Sequence, residues 1–311
     1  MRGIAAAGVL VGTWVVAGTS CIGVRGWRVA PATRERSLGI LRAGLRSEEF
    51  WPSIHAAEGL TLAGHGDEVR AFLEPKLKTE ADDQRRCGIA RELVRAGDRA
   101  KATVMLGILA KEDPYGHVHA AESLYKVGEI GDGRLLRRAM GETGNVKLQL
   151  MAAAALGRSG DEAAMRLLRE RLGADDPTVR RTAAWVLARI GDRSDIPRLR
   201  SNIARSKDAL ERCFMEHALA ALGDAEGRRA LLGNLRSSDA SIRTYAATFA
   251  GDAGIAEAIP ALVALLDDSH LDARLRAAQS LLVFASLDRR AGLRHPVDAR
   301  RGGEGVGGGL R

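Results

Sequence analysis

Hydrophobic positions in the middle of this chain repeat on two periods at once. Within short stretches they recur every three to four residues, and the stretches themselves recur about every 31 residues. The clearest copy runs from Glu162 to Asp192. In its first half Ala164, Leu167, Leu168 and Leu172 fall on one helical face, with Arg166, Arg169, Glu170 and Arg171 mostly opposite. Gly173 ends that stretch. Asp175 or Asp176 is then placed to cap a second helix through a side-chain oxygen, and Pro177 suits a first turn that needs no donor. Val179, Ala183, Val186, Leu187 and Ile190 form the second apolar face, and Gly191 is expected to end it in the left-handed conformation. Asp192 follows at the start of the next helix, where the dipole favours negative charge.

Gly-Asp pairs punctuate the array at Gly66, Gly97, Gly131, Gly160, Gly191, Gly223 and Gly251, separated by 31, 34, 29, 31, 32 and 28 residues. A unit this short cannot bury a core alone and must stack on its neighbours. The pattern predicts an all-α fold, an elongated α-solenoid of about seven and a half two-helix repeats. Alanine pairs such as Ala56-Ala57, Ala120-Ala121, Ala183-Ala184 and Ala277-Ala278 recur in the second helices and allow close approach of backbones. Aromatic residues make up only 4% of the chain, so the core is built from Ala, Leu, Val and Ile.

The stretches DPTVRRTAAWVLARIGD, AAAALGRSGDEAAMRLLRERL and LDARLRAAQSLL resemble bacterial HEAT-like repeats of the phycobilisome-lyase (PBS lyase) type. The resemblance runs over residues 47–288 and implies a HEAT-like superhelix that serves as a scaffold. Arg86, Arg180, Arg212, Arg243 and Arg274 match the second-helix arginine of such repeats. The resemblance implies that this arginine ties loops between units together. It does not confer lyase activity, because fold alone assigns no function; a lyase-related, tetrapyrrole-handling protein is the minor alternative.

The ends have a different character. Residues 1–30 begin with Arg2, continue through 22 uncharged residues from Gly3 to Val24, and meet an arginine cluster at Arg25 and Arg28. This reads as a signal peptide, a lipoprotein signal with Cys21 as the lipidation candidate, or an uncleaved anchor. The expected location is therefore the cell envelope, exported or membrane-anchored. Residues 31–46 read as a linker and 289–311 as an Arg/Gly-rich disordered tail or an out-of-frame end.

Charge narrows the partners. The net +8 is concentrated outside the array: residues 1–46 carry +6 and 289–311 carry +4, leaving 47–288 at −2. A nucleic-acid-binding solenoid would need its positive charge on the array, so no nucleic acid is expected. Cys87 and Cys213 lie four repeats apart, too far to bridge in an elongated stack. His117 and His119 are two residues apart and do not share a helical face, and HExxH or CxxC spacing does not occur. No metal, cofactor or catalytic residue is expected, and the chain reads as a non-enzyme.

One surface stands out. Arg181, Trp185 and Arg189 project opposite Ala183 and Leu187, and with Arg91, Arg95 and Arg158 they are expected to line the inner wall of the superhelix. A protein partner, in particular an acidic peptide, or an anionic glycan would suit that wall. Two functions remain: an exported scaffold that binds through its inner surface, or the regulatory front module of a larger membrane protein such as a sodium/solute symporter.

Overall fold

A computed structural model describes residues 27–292. Every regular element among them is helical, and the α-helices fall into eight antiparallel pairs. These are α1 (Pro31–Leu45) with α2 (Phe50–Leu62), α3 (Gly66–Thr79) with α4 (Asp83–Arg95), α5 (Ala102–Leu109) with α6 (His117–Val127), and α7 (Arg134–Met140) with α8 (Val146–Arg158). The second half continues with α9 (Glu162–Arg171) and α10 (Pro177–Ile190), α11 (Ile196–Arg205) and α12 (Ala209–Ala221), α13 (Ala225–Asn234) and α14 (Ala240–Asp252), then α15 (Ile259–Leu265) and α16 (Leu271–Gly292). The fold is an all-α solenoid, as the repeat period predicts.

Local chemistry starts and stops these helices where the sequence suggests. Asp82, Asp161, Asp176, Asp208, Asp224 and Asp239 each accept a backbone N–H at a helix start, and Asn145 does the same for α8. Gly191 departs from expectation. Its φ of −79° is not left-handed; the glycine is needed instead for space, since a Cβ there would lie 2.5 Å from the Leu187 carbonyl oxygen. The repeat glycine also shifts register near residue 251: Gly251 lies inside α14, and Gly254, with φ of 66°, makes the left-handed turn.

Residues 31–46 are not a linker. Leu38, Leu41 and Leu45 give α1 an apolar face that is buried against α2 and α16. This contact changes the shape of the array. Each second helix packs on the second helix of the next pair, from α2 through α16, and α16 packs on α2 as well as on α14. The solenoid therefore closes into a ring of eight pairs rather than extending as an elongated superhelix. Two glycines make the seam tight: a Cβ at Gly44 would lie 2.5 Å from Leu275, and one at Gly59 would lie 3.3 Å from Gln279, both on α16.

The even-numbered helices form the inner wall and carry the densest burial, with Ala152, Ala153, Ala154, Ala183, Ala184, Ala246, Ala247, Ala277 and Ala278 fully enclosed. The odd-numbered helices form the outer wall and bury one narrow stripe each. One hydrophobic core runs through all eight pairs without a break.

Three of the five arginines matched to the repeat pattern hold the loops in the manner the resemblance implies. Arg180 donates to the Ala174 and Asp175 carbonyls and bonds Glu211 of the next pair at 2.6 Å. Arg243 repeats this with Ser237, Ser238 and Asp268, and Arg274 with the Asp268 and Ser269 carbonyls. Arg86 reaches only Asp83 in its own helix, and Arg212 stands exposed with no such bond among the described residues.

Candidate functional site

The ring gathers side chains that are far apart in sequence onto one inner wall. Of the eleven aromatic residues described, eight lie on even-numbered helices. Trp51 of α2 stacks on His119 of α6 at 5.3 Å. They meet across α4 because Gly88 leaves room; a Cβ there would lie 3.3 Å from the Trp51 ring. Trp185 meets Tyr125 edge-on at 5.4 Å, bridging α10 and α6 over α8. Phe214 of α12 packs on Tyr245 and Phe249 of α14.

The six residues expected on the inner wall all lie on even-numbered helices: Arg91 and Arg95 on α4, Arg158 on α8, and Arg181, Trp185 and Arg189 on α10. Most of their charge is engaged inside the protein. Arg91, only 4% exposed, bonds Glu92 at 2.7 Å. Arg95 reaches Glu58 at 3.2 Å and also pairs with Glu92. Arg158 donates to the Tyr125 and Lys126 carbonyls at 2.7 and 3.1 Å. Arg189 pairs with Asp252 and lies 4.8 Å from the Trp185 ring centre and 4.7 Å from that of Phe249. Arg181 lies over Phe214 at 5.7 Å. Trp185 is half-buried among these groups and is not simply a solvent-facing side chain.

Acidic partners complete the cluster. Glu58 takes Arg95 through one oxygen and Arg276 of α16 through the other, the latter at 2.7 Å, so it spans the seam. His55 adds a second link across the seam, 2.8 Å from Asp272. Glu122 pairs with Lys126 at 2.8 Å. Burial alone would raise the Glu58 carboxyl, yet Arg95 and Arg276 hold it well below the usual carboxylate range. Burial likewise opposes ionisation of Glu122, and Lys126 overcomes it, holding the carboxyl at about 2. Burial, reinforced by neighbouring Arg276, lowers His55 despite Asp272. These carboxylates were not singled out from sequence. A signal was available: Glu58 and Glu122 directly follow alanine pairs, and Glu92 follows Ala90-Arg91, at the place that Trp185 takes in the fifth unit.

What this arrangement does chemically is neutralise itself. Cations and carboxylates from α2, α4, α6, α10, α14 and α16 face one another across a low-dielectric interior, which fixes the inner helices in register around the ring. The one Cys–His contact there is inert. Cys213 Sγ lies 3.3 Å from His217 Nε2, but burial pushes the thiol up and holds the imidazole at about 3, so both stay neutral. Among the described residues no group of three or more His, Cys, Asp or Glu is arranged to hold a metal ion.

Outside the ring wall, the short helices α5 and α7 leave a groove of about 480 Å³ between the third and fourth pairs, lined by Leu109, Pro114, His117, Leu135, Arg138 and Leu148 among others. His117 is tied there to the Lys111 carbonyl at 3.1 Å. Residues 289–292, expected to open the tail, instead continue α16; Cys21 and residues 293–311 lie outside the described residues, and no described helix is long and apolar enough to cross a membrane.

Residues 133–213 match the family of HEAT repeats. No curated protein matches the chain. Two crystal structures of engineered proteins resemble it, both at 20% identity. The first has a TM-score of 0.30 and covers 81% of this chain and 79% of its own; the second has 0.24, covering 80% and 96%. At these scores neither informs the shape of the ring or its role. What the family match and the helical pairs support together is an all-α solenoid that carries HEAT repeats at residues 133–213.

Proposed function

We propose that this protein is a non-enzymatic scaffold that presents a rigid ring to a protein partner. The observation that carries this reading is the single unbroken core shared by all eight pairs and locked by an ion-paired inner wall. Such a frame loses little order on binding and can hold recognition groups at fixed separations. Its internally satisfied arginines argue that recognition uses the rims and outer face more than the inner wall. Tyr115, in the turn before α6, is exposed there, of a residue type that anchors protein interfaces. The first 30 residues would hold the ring at the cell envelope, with Cys21 as the attachment point if they act as a lipoprotein signal; Cys21→Ala would then release it from membranes. Affinity capture of the full chain from its own cells, followed by gel filtration, tests the scaffold reading. A partner co-eluting in fixed stoichiometry is expected, and the ring eluting alone at physiological salt would overturn it.

A further inference from the structure

The acidic residues of the sixth pair are already committed. Asp192 and Asp195 are both taken by Arg169 of the preceding outer helix, at 2.7 and 2.9 Å, and Asp195 also accepts the Asp192 N–H. Asp208 caps α12 by accepting the Glu211 N–H. Glu211 is held by Arg180 and by the Ser206 hydroxyl, and Glu216 accepts from Asn234. Among the basic residues of the same pair Arg200 is taken by Asp224 and Glu226 of the next pair, and the other five are left over. Arg193, Arg198, Arg205, Lys207 and Arg212 are all exposed, and none has a carboxylate partner among the described residues. Arg198 donates only to the Arg169 carbonyl and Arg205 only to Asn202. Helix α11 itself holds no acidic residue.

We propose that the outer face of the sixth helical pair and the adjoining rim, through Arg193, Arg198, Arg205 and Lys207 with Arg212 at the start of α12, is a docking track for an acidic polypeptide segment. The proposal rests on the scaffold reading and names its surface and partner chemistry. Arg198 and Arg205 are seven residues apart on α11, two turns along one face, which separates them by about 10 Å along the axis. Carboxylates three residues apart on a polyproline II segment lie one turn apart on one side, separated by about 9 Å, so the spacing fits an acidic segment in that extended form. Arg193 lies before the helix and Lys207 and Arg212 beyond it, lengthening the track past α11 at both ends. An unpaired exposed guanidinium gives up only water to take a carboxylate, whereas Arg95 and Arg189 on the inner wall would first have to give up Glu58, Glu92 or Asp252. Charge complementarity thus favours the outside of the sixth pair over the wall singled out by sequence. Duplex nucleic acid fits less well, because the array as a whole is net −2 and would repel most of its length.

The test is fluorescence anisotropy with a labelled oligo-glutamate peptide on the full chain, in detergent and at two salt concentrations. Changing the five track residues to Gln should weaken binding at least tenfold and flatten its salt dependence. A control in which Lys76, Lys78, Arg85, Arg99 and Lys101 become Gln should bind within twofold of the parent. Circular dichroism melting checks that both variants fold, as exposed substitutions allow. Equal losses in the two variants, or no loss in the first, would overturn the track. A labelled DNA duplex binding more tightly than oligo-glutamate, and lost with the same five changes, would overturn the partner class. Either failure is distinguishable from failure of the scaffold reading, which is judged by the co-eluting partner alone.

Discussion

Replacing Glu58 by Gln tests whether the ring is held shut by its inner wall. Glu58 joins Arg95 of the second pair to Arg276 of the eighth, and all three side chains are enclosed, with 13%, 14% and 10% of their surface exposed. Solvent screening is therefore weak, and removing the charge strands two guanidiniums in a low-dielectric interior. Breaking such a pair costs about 3 to 5 kcal/mol. Because Arg95 retains Glu92 and Arg276 retains Gln279, the lower end applies, about 3 kcal/mol. For a domain of this size that is a fall in melting temperature of roughly 6 to 12 °C. The control is Glu68→Gln, which removes the Arg42 partner on the outside, where the two side chains are 40% and 30% exposed. A pair that open to solvent contributes about 0 to 1 kcal/mol. Calorimetry or circular dichroism melting at neutral pH reads both. Equal shifts for the two variants would refute an energetically coupled seam.

Four further outcomes follow. Leu187→Ala, which empties a fully buried site, should cost about 2 to 5 kcal/mol in urea denaturation, and Trp185→Ala, which loses contact with Tyr125 and Arg189, about 2 kcal/mol rather than nothing. Stability should fall as pH drops from about 6.5 towards 3, because the unfolded chain protonates His217 near its ordinary value while the folded site resists until about 3. His217→Phe should flatten that part of the pH profile, and an unchanged slope would contradict a buried neutral imidazole. Glu58 has a depressed folded value, so its contribution is present above the unfolded carboxyl value of about 4.3 and is lost as pH falls through the lower folded one, which makes the wild-type chain lose its margin over Glu58→Gln in acid. Cys87, pushed up to about 12 by burial, and Cys213 should resist a thiol reagent at pH 8 until the chain is unfolded, and rapid labelling of the native protein would show that the inner wall opens.

The helices, their caps and their pairing were legible because each is set by residues close in sequence. Asp176, Pro177 and the Val179 to Ile190 face needed no tertiary information. Helix α1 was not legible as such. Its Leu38, Leu41 and Leu45 have helical spacing, but the residues that bury them lie in α2 and at the far end of the chain in α16. Closure was hidden for the same reason. It arises from a small rotation per pair summed over eight pairs, and no single unit encodes that sum. The five inner-wall arginines and Trp185 were found by residue type and helical phase, and all six fell on inner helices. Their neutralisation was missed because Glu58 and Asp252 reach them from other pairs.

Ring closure is tested most directly by a distance across the seam. Arg36 of α1 and Asp267 before α16 form an exposed ion pair between the first and last pairs. Spin labels on cysteines at these two positions, in a full chain with Cys21→Ser, report their separation by pulsed electron resonance. A closed ring predicts a single short distance, within about 20 Å, the pair itself being in hydrogen-bond contact. An open solenoid with seven steps of 8 to 10 Å between the pairs would place the labels about 55 to 70 Å apart, and a distribution centred there would contradict the ring.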